Sequence, residues 1–406
     1  MKKFLNKFHL RKRDTIILGI FILSLFPIAY LSTPSVVTVT QNIVSEDNRS
    51  VESDVSIVPT SATLEEMVVV THVETPEAVK AIYMTSWVAG SVSFRNELVS
   101  LIETTELNSV VIDIKDYSGT VSFRISDPLL ISIGSHENRI QDIRQFIKQL
   151  HDKNIYVIGR ITVFQDSYLA NARPDLAIKK ESDGTVWVDY KNISYIDPGA
   201  REMWDYIVAL SKESYAYGFD ELNYDYIRFP SDGNMFDIYF PFSEERVLAD
   251  PDRGKALILQ EFFSYLNQEL DSEGVVLSAD VFGMTTTNYD DLNIGQILEL
   301  IEPYFDYIAP MVYPSHYPVG FNNWENPNLF PYEVVKYSLD RGVERLILAN
   351  SSPLKLRPWL QDFDYGGDYD VEEVRAQIQA VYDAGLTSWM LWAASNIYTR
   401  GALEPN

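Results

Sequence analysis

From residue 80 onward, short apolar runs alternate with amphipathic stretches, the pattern of βα units that feed a parallel sheet. Eight runs read as strands, at 81–87, 109–115, 155–163, 219–227, 275–282, 305–313, 345–350 and 387–392. Between them apolar residues recur at helical spacing, most clearly in RIQDIRQFIKQLHDK, REMWDYIVALSKESYAYG, LILQEFFSYLNQEL, IGQILELIEPYF and VEEVRAQIQAVYDAG. Gly218, Gly274, Gly342 and Gly385 stand where those helices should stop, as C-cap glycines do. Eight strands with helical connections predict an α/β chain closed into a (β/α)8 TIM barrel. An open doubly wound sheet is the alternative, but no glycine-rich phosphate loop follows the first strand. The eighth strand falls almost at the end of the sequence, so the last helix of an ideal barrel is absent or replaced.

Before residue 80 the pattern is different. Residues 1–13 carry Lys2, Lys3, Lys7, Arg11, Lys12 and Arg13 with no acidic residue, and Thr15 to Leu31 is an almost charge-free run, TIILGIFILSLFPIAYL. Such a run of about 17 residues is at the lower limit for crossing a bilayer. The basic flank should stay cytoplasmic. This predicts a basic tail at 1–13, a single-pass signal anchor at 14–31, and an extracytoplasmic remainder. A cleaved signal peptide is the competing expectation, although no small-x-small site follows Leu31. Residues 32–77, rich in Ser, Thr, Val and acidic side chains, read as a flexible linker to a barrel domain at 78–406.

Charge and composition narrow the chemistry. A formal net charge of −25 over 406 residues argues against nucleic acid and disfavours polyanionic substrates. The absence of cysteine excludes a thiol nucleophile, a Cys-based zinc site and disulfides. His9, His72, His136, His151 and His316 lack zinc-ligand spacing, and His316, after the sixth strand, reads as a plain loop histidine, with a place in the cleft as the alternative. There is no G-x-S-x-G elbow. No cofactor or metal is called for. The acidic segment DFDYGGDYD, Asp362 to Asp370, reads as a solvated turn, with Ca²⁺ binding as the alternative.

In a TIM barrel the reactive groups project from the C-terminal ends of the strands, so polar residues on an inward face are informative. The fourth strand, in FDELNYDYIRFP, separates Glu221, Asn223, Asp225 and Ile227 from Leu222, Tyr224 and Tyr226. The second set suits the helix layer, which turns Asp225 inward and high. In VVLSADVFG, Ser278 and Asp280 face inward while Val275, Leu277, Ala279 and Val281 face the helices. Two carboxylates at similar height on adjacent strands suit glycosidic cleavage, one protonating the leaving oxygen and the other attacking or activating water. The plainer alternative is that each pairs with an internal arginine such as Arg160 or Arg228. Asp113, Lys115 and Arg160 are expected on the inward face of the second and third strands, binding sugar hydroxyls and tuning the acid or else forming an ion pair that serves only the barrel interior. Asp116 is expected at the loop and Asp166 in the following loop, solvated or on the substrate. Tyr83, Trp87, Tyr117, Tyr226, Tyr313, Tyr317, Trp324, Trp359 and Trp392 crowd the same strand ends, where flat rings suit the apolar faces of sugars.

The segments KAIYMTSW, VVIDIKDYSG, YVIGRITVFQD, NISYIDPGAREMWDY, FDELNYDYIRFPSDG, SADVFG, DYIAPMVYPSHY, RPWLQDF and SWMLWAASN resemble a bacterial family of (β/α)8 "putative glycoside hydrolases", formerly a domain of unknown function. The likeness spans about residues 80–398. It implies the barrel fold and hydrolysis of O-glycosyl bonds, with a polysaccharide or oligosaccharide as substrate. More distantly, FDELNYDYIRFP, APMVY and SWMLW are similar to strand signatures of family 18 chitinases. Ile227 occupies their catalytic-Glu position and Asn223 a middle acidic one, which argues against the chitinase-type mechanism. The remaining acids, Asp225 and Asp280, resemble the strand-four and strand-five pair of amylase-like barrels. Asp225 is then the expected nucleophile or base and Asp280 the general acid, with Asp113, Lys115, Arg160, Tyr313, Trp392 and Trp87 binding the sugar. A non-catalytic carbohydrate-binding barrel and a transglycosylase are the rival expectations.

Overall fold

The computed structural model describes residues 69–406. The predicted basic tail, signal anchor and most of the linker lie outside the described residues. Among the described residues no helix is long and apolar enough to cross a membrane.

Eight parallel strands close into a barrel in sequence order: β1 (Lys80–Met84), β2 (Ser109–Lys115), β3 (Tyr156–Thr162), β4 (Glu221–Asp225), β5 (Val276–Phe282), β6 (Tyr307–Met311), β7 (Trp359–Gln361) and β8 (Trp389–Trp392). The connections carry α1 (Val92–Glu103), α2 (Ile143–His151), α3 (Arg201–Tyr217), α4 (Gly254–Leu270), α5 (Leu298–Ile301), α6 (Pro331–Leu348) and α7 (Val371–Asp383). After β8 comes only a single 3₁₀ turn, Arg400–Ala402. Strand alternation sorts the apolar residues into two cores. Leu222, Tyr224, Leu277, Ala279 and Val281 pack outward against the helices. Tyr83, Val111, Tyr156, Ile158, Ala309, Tyr313, Trp359 and Met390 pack inside the barrel.

Two predicted elements are corrected. The seventh strand is Trp359–Gln361, not 345–350. Residues 345–348 are the last turn of α6, where Leu346 continues the buried stripe while Ile347 and Leu348 point to solvent. Gly342 accordingly lies inside α6 rather than at its end. A Cβ there would lie 3.1 Å from Leu356 and 3.3 Å from Thr286, so the glycine serves close packing. Gly218 does close α3 in the left-handed region, at φ +109°. The helix expected at 294–305 shrinks to α5 and a 3₁₀ turn, Glu302–Tyr304.

Residues 69–77, expected to belong to the linker, lie against the base of the barrel. The Val73 N–H donates to Asp220 Oδ1 at 2.7 Å, and the Thr75 hydroxyl meets the Tyr156 hydroxyl at 3.0 Å. Asp220 is also 3.0 Å from His151 Nε2. Just inside that end, Glu221 accepts from Arg357 Nη1 at 2.6 Å and from the Tyr156 hydroxyl at 3.1 Å. The Arg357 guanidinium rests 3.2 Å from the Tyr307 ring centroid. This layer plugs the base, leaving the opposite end for chemistry.

Candidate active site

At the C-terminal end the strands and their loops enclose a cavity of about 2810 Å³. That is several times the roughly 300–1,000 Å³ of a small-molecule pocket. Register fixes its floor. Asn223 pairs with Ser278 across β4 and β5, so Asp225 and Asp280, each two residues further on, emerge at equal height on the inward face. On β3, Arg160 lies level with Asp113 of β2 and Asn223 of β4.

Arg160 organises the acids. Its Nη1 donates to Asp113 Oδ1 at 2.7 Å; its Nη2 and Nε donate to Asp225 Oδ2 at 2.5 and 3.1 Å. Nε also comes within 3.9 Å of Asp280 Oδ2. The plainer expectation for Asp225, pairing with an internal arginine, therefore holds alongside its place on the cavity floor. Burial opposes the charge on Arg160, but the carboxylates of Asp225 and Asp113 outweigh it and raise its pKa well above the ordinary value. Its guanidinium lies 5.1 Å from the Trp392 ring centroid and 5.7 Å from that of Tyr83, and those two rings stack at 4.0 Å. The Tyr83 hydroxyl donates to Asp113 Oδ2 at 2.5 Å.

Asp280 is held differently. Its Oδ1 accepts from Asn223 Nδ2 at 2.9 Å and from Trp359 Nε1 at 2.8 Å. Oδ2 is left facing Arg160 and the cavity. Burial, reinforced by the negative charge of Asp225, raises the Asp280 pKa well above the carboxylate range. Burial likewise raises Asp113, though Arg160 opposes it. Three buried acids around one cation cannot all ionise cheaply, and Asp280 is the one driven furthest toward its protonated form. Asp225 Oδ1 accepts from the Tyr226 N–H at 2.6 Å. Tyr226 itself has a φ of +52°, uncommon for a bulky residue. This ends the strand alternation and turns the ring, expected to face the helices, onto the cavity wall. Ile227 is fully buried in the outer core.

The other predicted residues divide. Tyr313 and Trp392 line the cavity beside the acids, and Trp87 stands at its rim. Trp87 is 65% exposed on a helical turn, Ser86–Ala89, beyond the end of β1, with Arg139 stacked 4.4 Å from its ring. Tyr117, Tyr317 and Trp359 also reach the cavity, as does His316, whose pKa burial lowers to about 4. Trp324 does not; it packs near Phe330 and Phe321.

Lys115 is a correction. Two residues of β2, Asp113 and Lys115, oppose consecutive residues of β3, Arg160 and Ile161. This bulge rotates Lys115 out of the inward face. It is fully buried, pairs with Asp166 at 2.8 Å and donates to the Thr162 carbonyl at 2.6 Å. Asp166, expected in a solvated loop or on the substrate, is buried with it and caps a short helix through the Leu169 N–H. In the acidic segment 362–370, three of the acids already accept hydrogen bonds. Asp362 accepts from Thr399, Asp364 from the Tyr369 N–H, and Asp370 caps α7. No metal-holding group of three or more His or acidic side chains occurs among the described residues.

A family model described as "Putative glycosyl hydrolase domain" matches residues 81–398. The chain belongs to that family. The match takes in all the acids of the cavity floor, and the fold it covers is a closed TIM barrel. A solved structure of a hypothetical protein from Ruminiclostridium thermocellum is 36% identical over 49% of this chain and 97% of its own, with a TM-score of 0.44. The PgaB (BpsB) glycoside hydrolase domain from Bordetella bronchiseptica is 14% identical over 78% of this chain and 94% of its own, with a TM-score of 0.57. That likeness supports the fold. A chitinase from Chromobacterium violaceum is 14% identical over 80% and 96% of the two chains, with a TM-score of 0.44. No curated protein matches the chain.

Residues not singled out from sequence include Asn223 and Trp359 as partners of Asp280, and the loops after β3 and β4. The inward alternation of β4 pointed to Asn223. No sequence signal connected Trp359, on a strand of three residues, to β5.

Proposed function

We propose that this protein hydrolyses a glycosidic bond of a polysaccharide, with Asp280 as general acid and Asp225 as nucleophile or base. The observation that carries the proposal is the unlike environment of two carboxyls at equal height on adjacent strands. Asp225 accepts two hydrogen bonds from the Arg160 guanidinium, whereas burial and the neighbouring Asp225 push Asp280 toward protonation. Divergent environments of this kind divide acid from base in glycosidases. With Oδ1 accepting two hydrogen bonds, the proton belongs on Asp280 Oδ2, the oxygen aimed at the cavity. It passes to the leaving glycosidic oxygen while Asp225 attacks the anomeric carbon or takes a proton from the attacking water. Tyr313 and Trp392 flank the sugar, and Arg160 and Asp113 set the orientation of Asp225. The anchor and catalytic body are assigned to a single-pass membrane protein with the barrel outside the cytoplasm, resting on the basic tail and apolar run of the sequence.

A second reading, a carbohydrate-binding barrel without turnover, is favoured by the grip of Arg160 on Asp225 and by Ile227, buried where chitinase-like barrels keep their acid. Reducing-sugar release by the detergent-solubilised full chain, across bacterial and plant polysaccharides, separates the two. Release by the wild type and its loss in Asp225→Asn and Asp280→Asn is the expected result. Glycan binding without release from any polysaccharide selects the second reading.

A further inference from the structure

Arg228 and Asp232 follow β4 on one loop and line the same cavity, yet the catalytic proposal uses neither. Arg228 is 6% exposed and Asp232 8%. The Arg228 guanidinium is held by stacking, 4.8 Å from the Tyr226 ring centroid and 4.9 Å from that of Phe282. Stacking fixes its plane without using its N–H groups. Its hydrogen bond within the protein runs from Nη1 to the Phe229 carbonyl at 3.0 Å. Among the described residues, no carboxylate lies within 4.0 Å of it, and no side chain donates to Asp232. Neither group is sealed in: their polar atoms are not among those closed off from the cavity without a partner. Burial and Asp189 push the Asp232 carboxyl up while Arg228 and Lys191 pull it down, and the two groups of this short loop line the cavity without pairing with each other. An unpaired buried charge is costly.

The surroundings select the chemistry. A carboxylate-bearing ring brought to Arg228 meets Asp225 and Asp232. Around Asp232 itself, Asp189 and Lys191 act in opposite senses. An ammonium brought to Asp232 meets Arg228. Adjacent hydroxyls satisfy both groups, one donating to Asp232 and the other accepting from Arg228. We propose that Arg228 and Asp232 form a specificity-determining subsite for the adjacent hydroxyls of a neutral sugar ring beside the reacting acids. This rests on the cavity being a glycan site, but not on turnover.

The test uses the full chain in detergent carrying Asp280→Asn. It measures binding to gluco-, xylo-, manno- and galacto-oligosaccharides as neutral probes, and to oligogalacturonate and chitosan oligosaccharides as charged ones. Binding confined to neutral probes is expected. Adding Arg228→Ala or Asp232→Asn should weaken it by about tenfold or more, the loss of a charge-assisted hydrogen bond, with Arg228→Lys restoring part. Near-ultraviolet circular dichroism checks that each variant keeps its fold. Unchanged affinity in both variants, preference for a charged probe, or no binding to any probe overturns the subsite. Hydrolysis by the wild type is read separately. Variant-sensitive neutral binding without hydrolysis removes the hydrolase proposal and keeps the subsite; hydrolysis with variant-insensitive binding does the reverse.

Discussion

The two ends of the barrel interior carry the same ingredients in different proportions. At the base, one arginine meets one carboxylate: Arg357 and Glu221 pair at 2.6 Å, closed in by Tyr156 and by the ring of Tyr307. At the mouth, one arginine meets three: Arg160 bonds Asp113 and Asp225 and approaches Asp280. The base is charge-balanced and filled; it holds strands together. The mouth has an excess of acid in a buried setting, and burial together with the charge of Asp225 pushes Asp280 toward its protonated form. The difference teaches that burial of charge alone marks neither structure nor function. The ratio of acids to cations decides which end can move protons.

The largest expected effect of breaking this contrast is at the mouth. Asp280→Asn should lower kcat/KM by about a thousandfold, within the range of a lost general acid, while leaving Trp359 and Asn223 an amide oxygen to donate to. At the base, Glu221→Gln leaves Arg357 without its anion, and breaking a buried pair costs about 3–5 kcal/mol. Urea unfolding should show that loss with kcat per folded molecule unchanged. Lys115→Met should behave like the base variant, stability falling and kcat not, because Lys115 serves Asp166 and the Thr162 carbonyl rather than the cavity. A drop in kcat at unaltered stability would return Lys115 to the site.

Asp280 also couples stability to pH. In the unfolded chain it ionises near its ordinary value of about 3.9, but in the folded protein only at a much higher pH. Its favourable contribution is therefore complete below about pH 4 and is lost as the pH rises through the folded pKa. The melting temperature of Asp280→Asn relative to the wild type should rise across that window, and a difference independent of pH would contradict it. The smallest expected effect is at the far base: Thr75→Val, removing one hydroxyl contact with Tyr156, should cost about 1 kcal/mol in urea unfolding and leave activity untouched.

The barrel and its two central acids were legible because strand alternation has an exact period: the inward set of β4 and β5 could be read directly from FDELNYDYIRFP and VVLSADVFG. Legibility failed where that period is interrupted. The bulge after Asp113 turned Lys115 to the other face, and the positive φ of Tyr226 turned a ring expected among the helices into the cavity. It also failed where an element is very short. The three residues of β7 carry too little pattern, whereas the apolar RLIL at the end of α6 imitates a strand. The long loops after β3 and β4, which bring Asp189, Arg228 and Asp232 to the cavity, have no periodicity to read.

The central claim is that Asp280, pushed toward protonation by burial and by Asp225, is the acid of the pair. Infrared difference spectra of the full chain at neutral pH, wild type against Asp280→Asn and against Asp225→Asn, test it without any substrate. A protonated-carboxyl band lost only in Asp280→Asn is the predicted result. A wild type whose Asp280 is fully ionised, or a band that belongs to Asp225, would contradict the assignment of acid and base.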